Sequence, residues 1–379
     1  MQRGAHESTV FAFDDLAVAV ESTDPSHEAW LREFLEPDFH VVDHAPAACR
    51  VRVVEDDARF DALASAVSVD APLLDCFALD SSVVRLPIVA RDGNATTVVD
   101  DLFGAAYAIE PDRRLVTIFT RRGHTRVRAS LLRVVREFAM NAAHATGLFL
   151  HAASLASGDR GLVIAGAKAA GKTTLLAYLL SRGVGDYHSN DRVLATADGD
   201  ATVLRNMPTV ISVRPRTLEL VPMMAERLAG SGFASYLLTL DEAAAGPERP
   251  FYRNHLGNFV FSPAQYRRLV GANPHPVCHA AALAFPVLTD ALDTFELVAI
   301  DGRDALARLP DAFLGAGAWR KGTDAFTVPA MDPAPPEAVL LERAAHFVDG
   351  VRAVECRLGP GAFRDGALAE AFRGLLRAD

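Results

Sequence analysis

The sequence has little of what marks secreted, membrane-spanning or nucleic-acid-binding proteins. Its 379 residues include only four cysteines, which are too few and too scattered for a disulfide framework. No run approaches the ~20 apolar residues that cross a bilayer, and the first residues lack the apolar stretch of a secretory signal. The formal net charge of −10 argues against a general nucleic-acid binder. We therefore expect a cytoplasmic protein with neither a membrane nor a nucleic-acid partner.

The patterning that is present predicts an α/β fold with a mixed sheet, preceded by a smaller α/β N-terminal region. In residues 1–128, β-branched and aliphatic runs predict strands at 16–21, 49–54, 83–90, 95–99 and 115–120. Apolar residues at helical spacing then predict a helix over 130–145. We expect two domains, residues 1–128 and residues 129–379. Acceptor recognition and assembly are both open as roles for the first.

The second region begins with an apolar run at 147–155 that predicts one buried strand. Further strands are expected at 161–165, 192–196, 201–204, 209–213, 282–288, 294–300 and 351–358. Helices are expected at 172–182, from Glu337, and at the C-terminus to about Leu376. Residues 223–280 contain helical stretches and a segment interrupted by Gly and Pro around 245–250, and they are interpreted as an irregular insertion or lid.

The strongest motif is a phosphate-binding loop over residues 166–173, which fits GxxxxGK[ST] at every fixed position. Glycines let successive backbone N–H groups converge on phosphate oxygens, and the following helix directs its positive end at the same anion. Lys172 supplies a cation for the β- and γ-phosphates, and the Thr173 hydroxyl is a ligand for Mg²⁺. The predicted nucleotide-binding residues are Gly166, Ala167, Lys168, Ala169, Ala170, Gly171, Lys172, Thr173 and Thr174.

An acidic residue downstream completes the predicted metal site. Asp191 lies just before the strand predicted at 192–196, where a carboxylate can hold magnesium directly or through water. A solvated turn residue is the alternative interpretation of Asp191. Thr173 and Asp191 are the predicted metal ligands.

Three features together resemble the HPr kinase/phosphorylase family, whose catalytic domain is similar to that of ATP-dependent phosphoenolpyruvate carboxykinases. They are Leu150-His151 before the loop, the loop itself, and the segment Ser189-Asn190-Asp191-Arg192-Val193-Leu194. The resemblance covers residues 147–215 well and the rest of the second region loosely. The N-terminal region looks more like that of divergent members from biosynthetic gene clusters, some of which phosphorylate a peptide hydroxyl.

The resemblance implies catalytic roles for five residues, His151, Lys172, Asn190, Asp191 and Arg205. Asp191 takes the family's magnesium-binding position, and His151 matches a histidine near the phosphates. Asn190 stands where the family has a proton-accepting acid, and an amide cannot act as a general base. Arg205 is the arginine kept from a segment that is otherwise glycine-rich in the family. A buried structural role for His151 and a solvated strand end for Arg205 are the alternatives.

These features predict a kinase that uses ATP, or GTP, with Mg²⁺ to phosphorylate an alcohol. The acceptor is a peptide serine or threonine, or a small hydroxylated metabolite. Because Asn190 replaces an acid, a non-catalytic nucleotide-binding regulator or scaffold is the alternative. A homo-oligomer is left open by the sequence.

Overall fold

A computed structural model of the chain describes residues 8–43, 46–79, 82–233, 235–245, 253–254, 256–314 and 335–377. The chain divides into two compact units. The described part of the first lies within residues 8–145, and that of the second comprises Thr146–Leu314 and residues 335–377. Among the described residues, the helices are too short or too polar to cross a bilayer.

The first unit contains nine strands and three helices among its described residues. The strands are β1 Thr9–Phe13, β2 Leu16–Ser22, β3 His40–Val42, β4 Cys49–Glu55, β5 Leu73–Leu79, β6 Ser82–Asp92, β7 Ala95–Asp100, β8 Ala105–Glu110 and β9 Leu115–Thr120. The helices are α1 Pro25–Leu35, α2 Asp57–Ser65 and α3 Val127–His144.

These strands form one sheet in the order β3-β1-β2-β4-β9-β8-β7-β6-β5. Strands β2, β4 and β9 are parallel neighbours, and the other pairs in the sheet are antiparallel. Helix α3 packs on all three parallel strands, and α1 packs on β2 and α3. Helix α1 begins where Asp24 caps it, with Asp24 Oδ1 accepting from Ser26 N at 2.8 Å.

The second unit holds the remaining elements. Its strands are β10 Leu148–Leu150, β11 Ala153–Ser157, β12 Arg160–Ile164, β13 Asp186–Ser189, β14 Val193–Asp198, β15 Ala201–Asn206, β16 Ile211–Val213, β17 Phe259–Phe261, β18 Val277–Leu288, β19 Phe295–Ala299 and β20 Arg352–Leu358. Its helices are α4 Lys172–Ser181, α5 Pro215–Leu220, α6 Pro222–Ala229, α7 Leu240–Ala245, α8 Pro263–Val270, α9 Gly302–Arg308, α10 Glu337–Asp349 and α11 Ala367–Leu376.

The main sheet of this unit is mixed, in the order β10-β14-β15-β18-β12-β11-β13. Strand β18 is parallel to β12 and, further along, to β20, whereas β11 is antiparallel to both β12 and β13. Helix α4 is almost wholly apolar beyond its first turn, and its Leu175, Leu176 and Leu179 are fully buried in the core. Packing of these side chains in the core fixes the position of α4.

The predicted α/β class with a mixed sheet is confirmed, with three differences in detail. The run 147–155 forms two strands, because strand pairing is interrupted at His151 and Ala152 and each half pairs with a different neighbour. The first unit extends to Ala145 rather than to 128, because α3 packs on its sheet. Residues 223–280, interpreted as an irregular insertion or lid with helical stretches, also contain strand β17, which pairs with β16 earlier in the chain.

Candidate functional site

The loop between β12 and α4 is a concave backbone turn. Gly166, Ala169 and Gly171 have positive φ angles of 140°, 72° and 100°. Positive φ angles within a loop let several N–H groups turn toward one point, as they do in an anion-binding nest. Glycine adopts such angles freely, whereas a left-handed Ala169 costs ~1–2 kcal/mol. The backbone of this loop is one that can receive an anion.

The Lys172 ammonium group lies inside this loop. Its Nζ donates to the carbonyls of Gly166 at 2.8 Å and Ala167 at 3.2 Å, and the side chain is buried. Lys172 is also the first residue of α4, so the positive end of the helix dipole points in the same direction. A cation, a helix N-terminus and a nest of N–H groups thus coincide at the end of β12. Together they suit a phosphate group.

The two threonines after the lysine have different surroundings. Thr174 Oγ1 is hydrogen-bonded to Thr217 Oγ1 at 2.8 Å, at the start of α5. The half-buried Thr173 hydroxyl has no hydrogen-bond partner among the residues that the structure describes. Thr173 is therefore the better placed of the two to ligate a metal ion.

Three chain segments end at the same edge of the sheet. In the β11–β12 register Ala153 is opposite Ile164, so His151 lies beside the exit of β12 into the loop. In the β11–β13 register Ser154 is opposite Ser189, which places Asp191 at the same edge. One edge of one sheet therefore holds three features that the sequence predicts separately, namely His151, the loop and Asp191.

His151 and Asp191 form a pair at this edge. His151 Nε2 lies 3.1 Å from Asp191 Oδ1, and both side chains are about one-third exposed, at 31% and 34%. The backbone fixes the histidine, because His151 N donates to Ala312 O at 2.6 Å. Asp191 Oδ2 lies 3.6 Å from Arg192 Nε. An imidazole held this way by a carboxylate has its Nε2–H fixed and its Nδ1 lone pair available.

Asn190 is buried next to this pair. Its side chain is 7% exposed, and its Oδ1 has no hydrogen-bond partner among the described residues. An unpaired buried carbonyl oxygen costs about 1–3 kcal/mol, so folds retain few of them. This oxygen has essentially no exposed surface, so a bound hydroxyl group would reach it only after the neighbouring side chains shift.

A second histidine lies beneath the site, on β13. His188 Nδ1 is hydrogen-bonded to Ser154 Oγ at 2.6 Å, and both side chains are fully buried. Burial lowers the pKa of His188 from 6.5 to about 4, because the low-dielectric interior disfavours the imidazolium ion. His188 is therefore neutral and supports the β11–β13 pairing that positions Asn190 and Asp191.

This buried histidine makes stability depend on pH. Between pH 6.5 and about 4 the unfolded chain binds a proton at His188 that the folded chain does not. Stability is therefore full above pH 6.5 and is lost as the pH falls toward 4. We expect the free energy of unfolding to drop by about 2 kcal/mol between about pH 7 and about pH 5 from this group. Urea titrations at several pH values measure it.

The matched variant is His188→Asn, which keeps a polar partner for Ser154 without a titrating group. Its stability should be lower at pH 7 and should vary less with pH than that of the wild type. Equal pH dependence in the two proteins would assign the loss of stability to other groups.

Arg205, which the resemblance implies is catalytic, and Asp186 of β13 have contacts elsewhere. Arg205 Nη1 donates to Thr196 Oγ1 at 3.2 Å, which directs the guanidinium along β14 away from its Asp191 end. Asp186 Oδ1 accepts from Asn273 N at 3.2 Å, at the start of β13. These two contacts direct both side chains away from the loop.

A carboxylate–histidine cluster also occurs in the first unit. The ligand atoms of Asp24, His27 and Glu55 lie within 4.8 Å of one another, with His27 Nε2 3.5 Å from Glu55 Oε1. Burial, aided by the charge of Arg128, lowers the pKa of His27. Arg128 Nη2 donates to Ser26 Oγ at 3.0 Å, so a positive charge is already built into this cluster.

Comparison with known proteins adds no relative. No protein-family model matches the chain, and no curated protein matches it significantly. The likeness to HPr kinase/phosphorylase stays a prediction from the motifs.

Proposed function

We propose that the chain is a kinase that transfers the γ-phosphate of ATP or GTP to an alcohol, with Mg²⁺. The observation that carries the proposal is the convergence, at one sheet edge, of the loop holding Lys172 with the His151–Asp191 pair. A phosphate nest alone fits any nucleotide-binding protein. A histidine–carboxylate pair beside it adds a group that can take the proton of an attacking hydroxyl.

The loop and Lys172 supply the binding part of the reaction. The N–H groups and the Nζ of Lys172 neutralise the β- and γ-phosphates and hold them in line for transfer. Thr173 and Asp191 are the oxygen ligands that would hold Mg²⁺, since this ion prefers hydroxyl, carboxylate and water oxygens. When bound, Mg²⁺ neutralises charge that develops on the phosphate oxygens. The carboxylate of Asp191 has lone pairs enough for both a metal ion and His151.

His151 is the proposed general base. The oxygen of the alcohol attacks the γ-phosphorus while its proton passes to His151 Nδ1. The bond from that phosphorus to the β–γ bridging oxygen breaks, and the nucleoside diphosphate leaves with the electron pair. Asp191 Oδ1, 3.1 Å from Nε2, stabilises the imidazolium ion that forms. The loose transition state of phosphoryl transfer makes modest demands on the base, which suits a histidine.

Asn190 is proposed to orient the acceptor. Once the neighbouring side chains shift, its unpaired Oδ1 accepts a hydrogen bond from the acceptor, and the acceptor in turn satisfies this buried oxygen. The amide thus contributes position rather than proton transfer. Asparagine at position 190, where the resembled family has an acid, also favours the second candidate function, a non-catalytic nucleotide-binding regulator.

A phosphate-transfer assay separates the two functions. Purified protein is incubated with Mg-ATP labelled at the γ-phosphate and with panels of serine- and threonine-containing peptides and hydroxylated metabolites. The kinase proposal predicts a labelled phosphomonoester. Tight binding of Mg-ATP without transfer to any acceptor would support the regulator instead.

Variants of Asn190 test its role once an acceptor is found. Asn190→Ala should raise the acceptor KM about threefold to tenfold, the effect of one hydrogen bond, and leave the Kd of Mg-ATP unchanged. Asn190→Asp keeps the oxygen and should bind the acceptor at least as well as the wild type. An unchanged acceptor KM in Asn190→Ala would remove Asn190 from the site.

A further inference from the structure

An exposed apolar side chain covers one end of the phosphate loop. Leu288, the last residue of β18, is 53% exposed. A methyl group on Gly171 would lie 3.3 Å from Leu288 Cδ2, so this side chain rests on the residue that precedes Lys172. Pro286, two residues earlier on the same strand face, lies similarly against Gly166. Leu288 and Pro286 therefore give the loop an apolar border on its β18 side. Leu288 is the part of this border that is exposed to water.

The order of the strands predicts the direction in which a bound nucleotide would lie across the loop. The sheet runs β18-β12-β11-β13, so β12 and its loop lie between β18 and β11. His151 and Asp191, which mark the γ-phosphate end under the proposed function, are on the β11–β13 side. A chain of three phosphates that starts there crosses the loop toward β18. The nucleoside end of the ligand consequently arrives beside Leu288.

We propose that Leu288 forms one wall of the subsite for the purine base of the nucleoside triphosphate. A purine is a flat, largely apolar group that gains free energy by covering apolar surface. Leu288 offers such surface at the end of the loop opposite the His151–Asp191 pair. The inference rests on the proposed nucleotide-binding function and extends it by placing the base.

The wall is held in place by the backbone around it. Leu288 is in register with Leu358 of β20, and Thr289 N donates to Leu358 O at 3.0 Å. Just after β20, Gly359 N donates to Thr294 O at 2.6 Å, which joins the end of β20 to the start of β19. Fixed apolar surface binds a ligand without first losing conformational freedom.

The neighbouring residue on the strand provides a matched control. Val287 is also exposed, at 41%, but its side chain is on the opposite face of β18 because strand side chains alternate. Calorimetry with Mg-ATP and with Mg-tripolyphosphate, which has no ribose or base, separates the two parts of the site. Leu288→Ser should weaken Mg-ATP about fivefold to tenfold and leave Mg-tripolyphosphate unchanged. Val287→Ser should change neither, and Leu288→Met should bind Mg-ATP within about twofold of the wild type.

Three results would overturn the proposal, and they differ in what else they affect. If Leu288→Ser binds Mg-ATP as the wild type does, the base lies elsewhere and the nucleotide-binding function stands. If Leu288→Ser weakens Mg-ATP and Mg-tripolyphosphate equally, Leu288 only supports the loop. If the wild type binds neither ligand, the proposed function fails together with the subsite.

Discussion

Replacing Lys172 with alanine should abolish useful phosphate transfer, lowering kcat/KM by about 10²–10³-fold. The Lys172 ammonium is the buried cation inside the loop, where its Nζ donates to the carbonyls of Gly166 and Ala167. Charge–charge interactions are strong in such a low-dielectric site, so water cannot replace the cation. Binding of Mg-ATP should weaken as well, because the β- and γ-phosphates lose their closest positive charge. Steady-state assays with titration calorimetry measure both effects.

Lys168→Ala is the control for this variant, because the role predicted for Lys168 in the loop belongs to its backbone N–H group, which alanine keeps. Lys168 belongs to the same loop but is exposed, so its charge is screened by solvent. Its removal should change kcat/KM by no more than a fewfold. If Lys172→Ala kept wild-type binding and transfer, the loop would not be a phosphate site. Equal losses in the two lysine variants would mean that only net charge matters.

Replacing His151 with glutamine should lower kcat by about 10²–10⁴-fold, the contribution expected of a general base. Glutamine keeps a polar side chain at the sheet edge but cannot take a proton. The Kd of Mg-ATP should stay close to the wild-type value, since the phosphates are held by the loop and Lys172. Single-turnover rates and titration calorimetry measure both.

Asp191→Asn and the double variant complete this test. Because His151 Nε2 and Asp191 Oδ1 are 3.1 Å apart, the two residues act as a unit, and their effects should not add. We expect the double variant to be little slower than the slower single variant. Asp191→Asn alone should also raise the Mg²⁺ concentration needed for half of the maximal rate. Strictly additive losses would mean that His151 and Asp191 contribute through separate steps.

Much of the fold follows from local sequence patterns. Strand β9 and helix α4 begin at the predicted residues, because an aliphatic run after a turn and an apolar helix after Gly171-Lys172 are local signals. Helix α1 was missed, although Asp24-Pro25 is a helix-start signal of the same local kind. The helices within 223–280 are short and interrupted, so their periods are weak.

The candidate site could be predicted only in part from the sequence, because its residues are brought together by pairing between strands that are distant in the chain. The loop is a local motif, whereas the His151–Asp191 contact depends on β11 pairing with both β12 and β13. No local pattern encodes that register. The burial of His188 and the unpaired Oδ1 of Asn190 have the same origin. The direction of Arg205 along β14 likewise follows from its pairing with Leu194.

A crystal structure with Mg²⁺ and a non-hydrolysable ATP analogue tests the central claim most directly. The account predicts the β- and γ-phosphates within the loop over residues 166–173, in contact with Lys172 Nζ. The γ-phosphate should face the His151–Asp191 pair, with room for a hydroxyl oxygen about 3–3.5 Å from its phosphorus. A loop without the analogue, or a γ-phosphate directed toward Leu288, would contradict it.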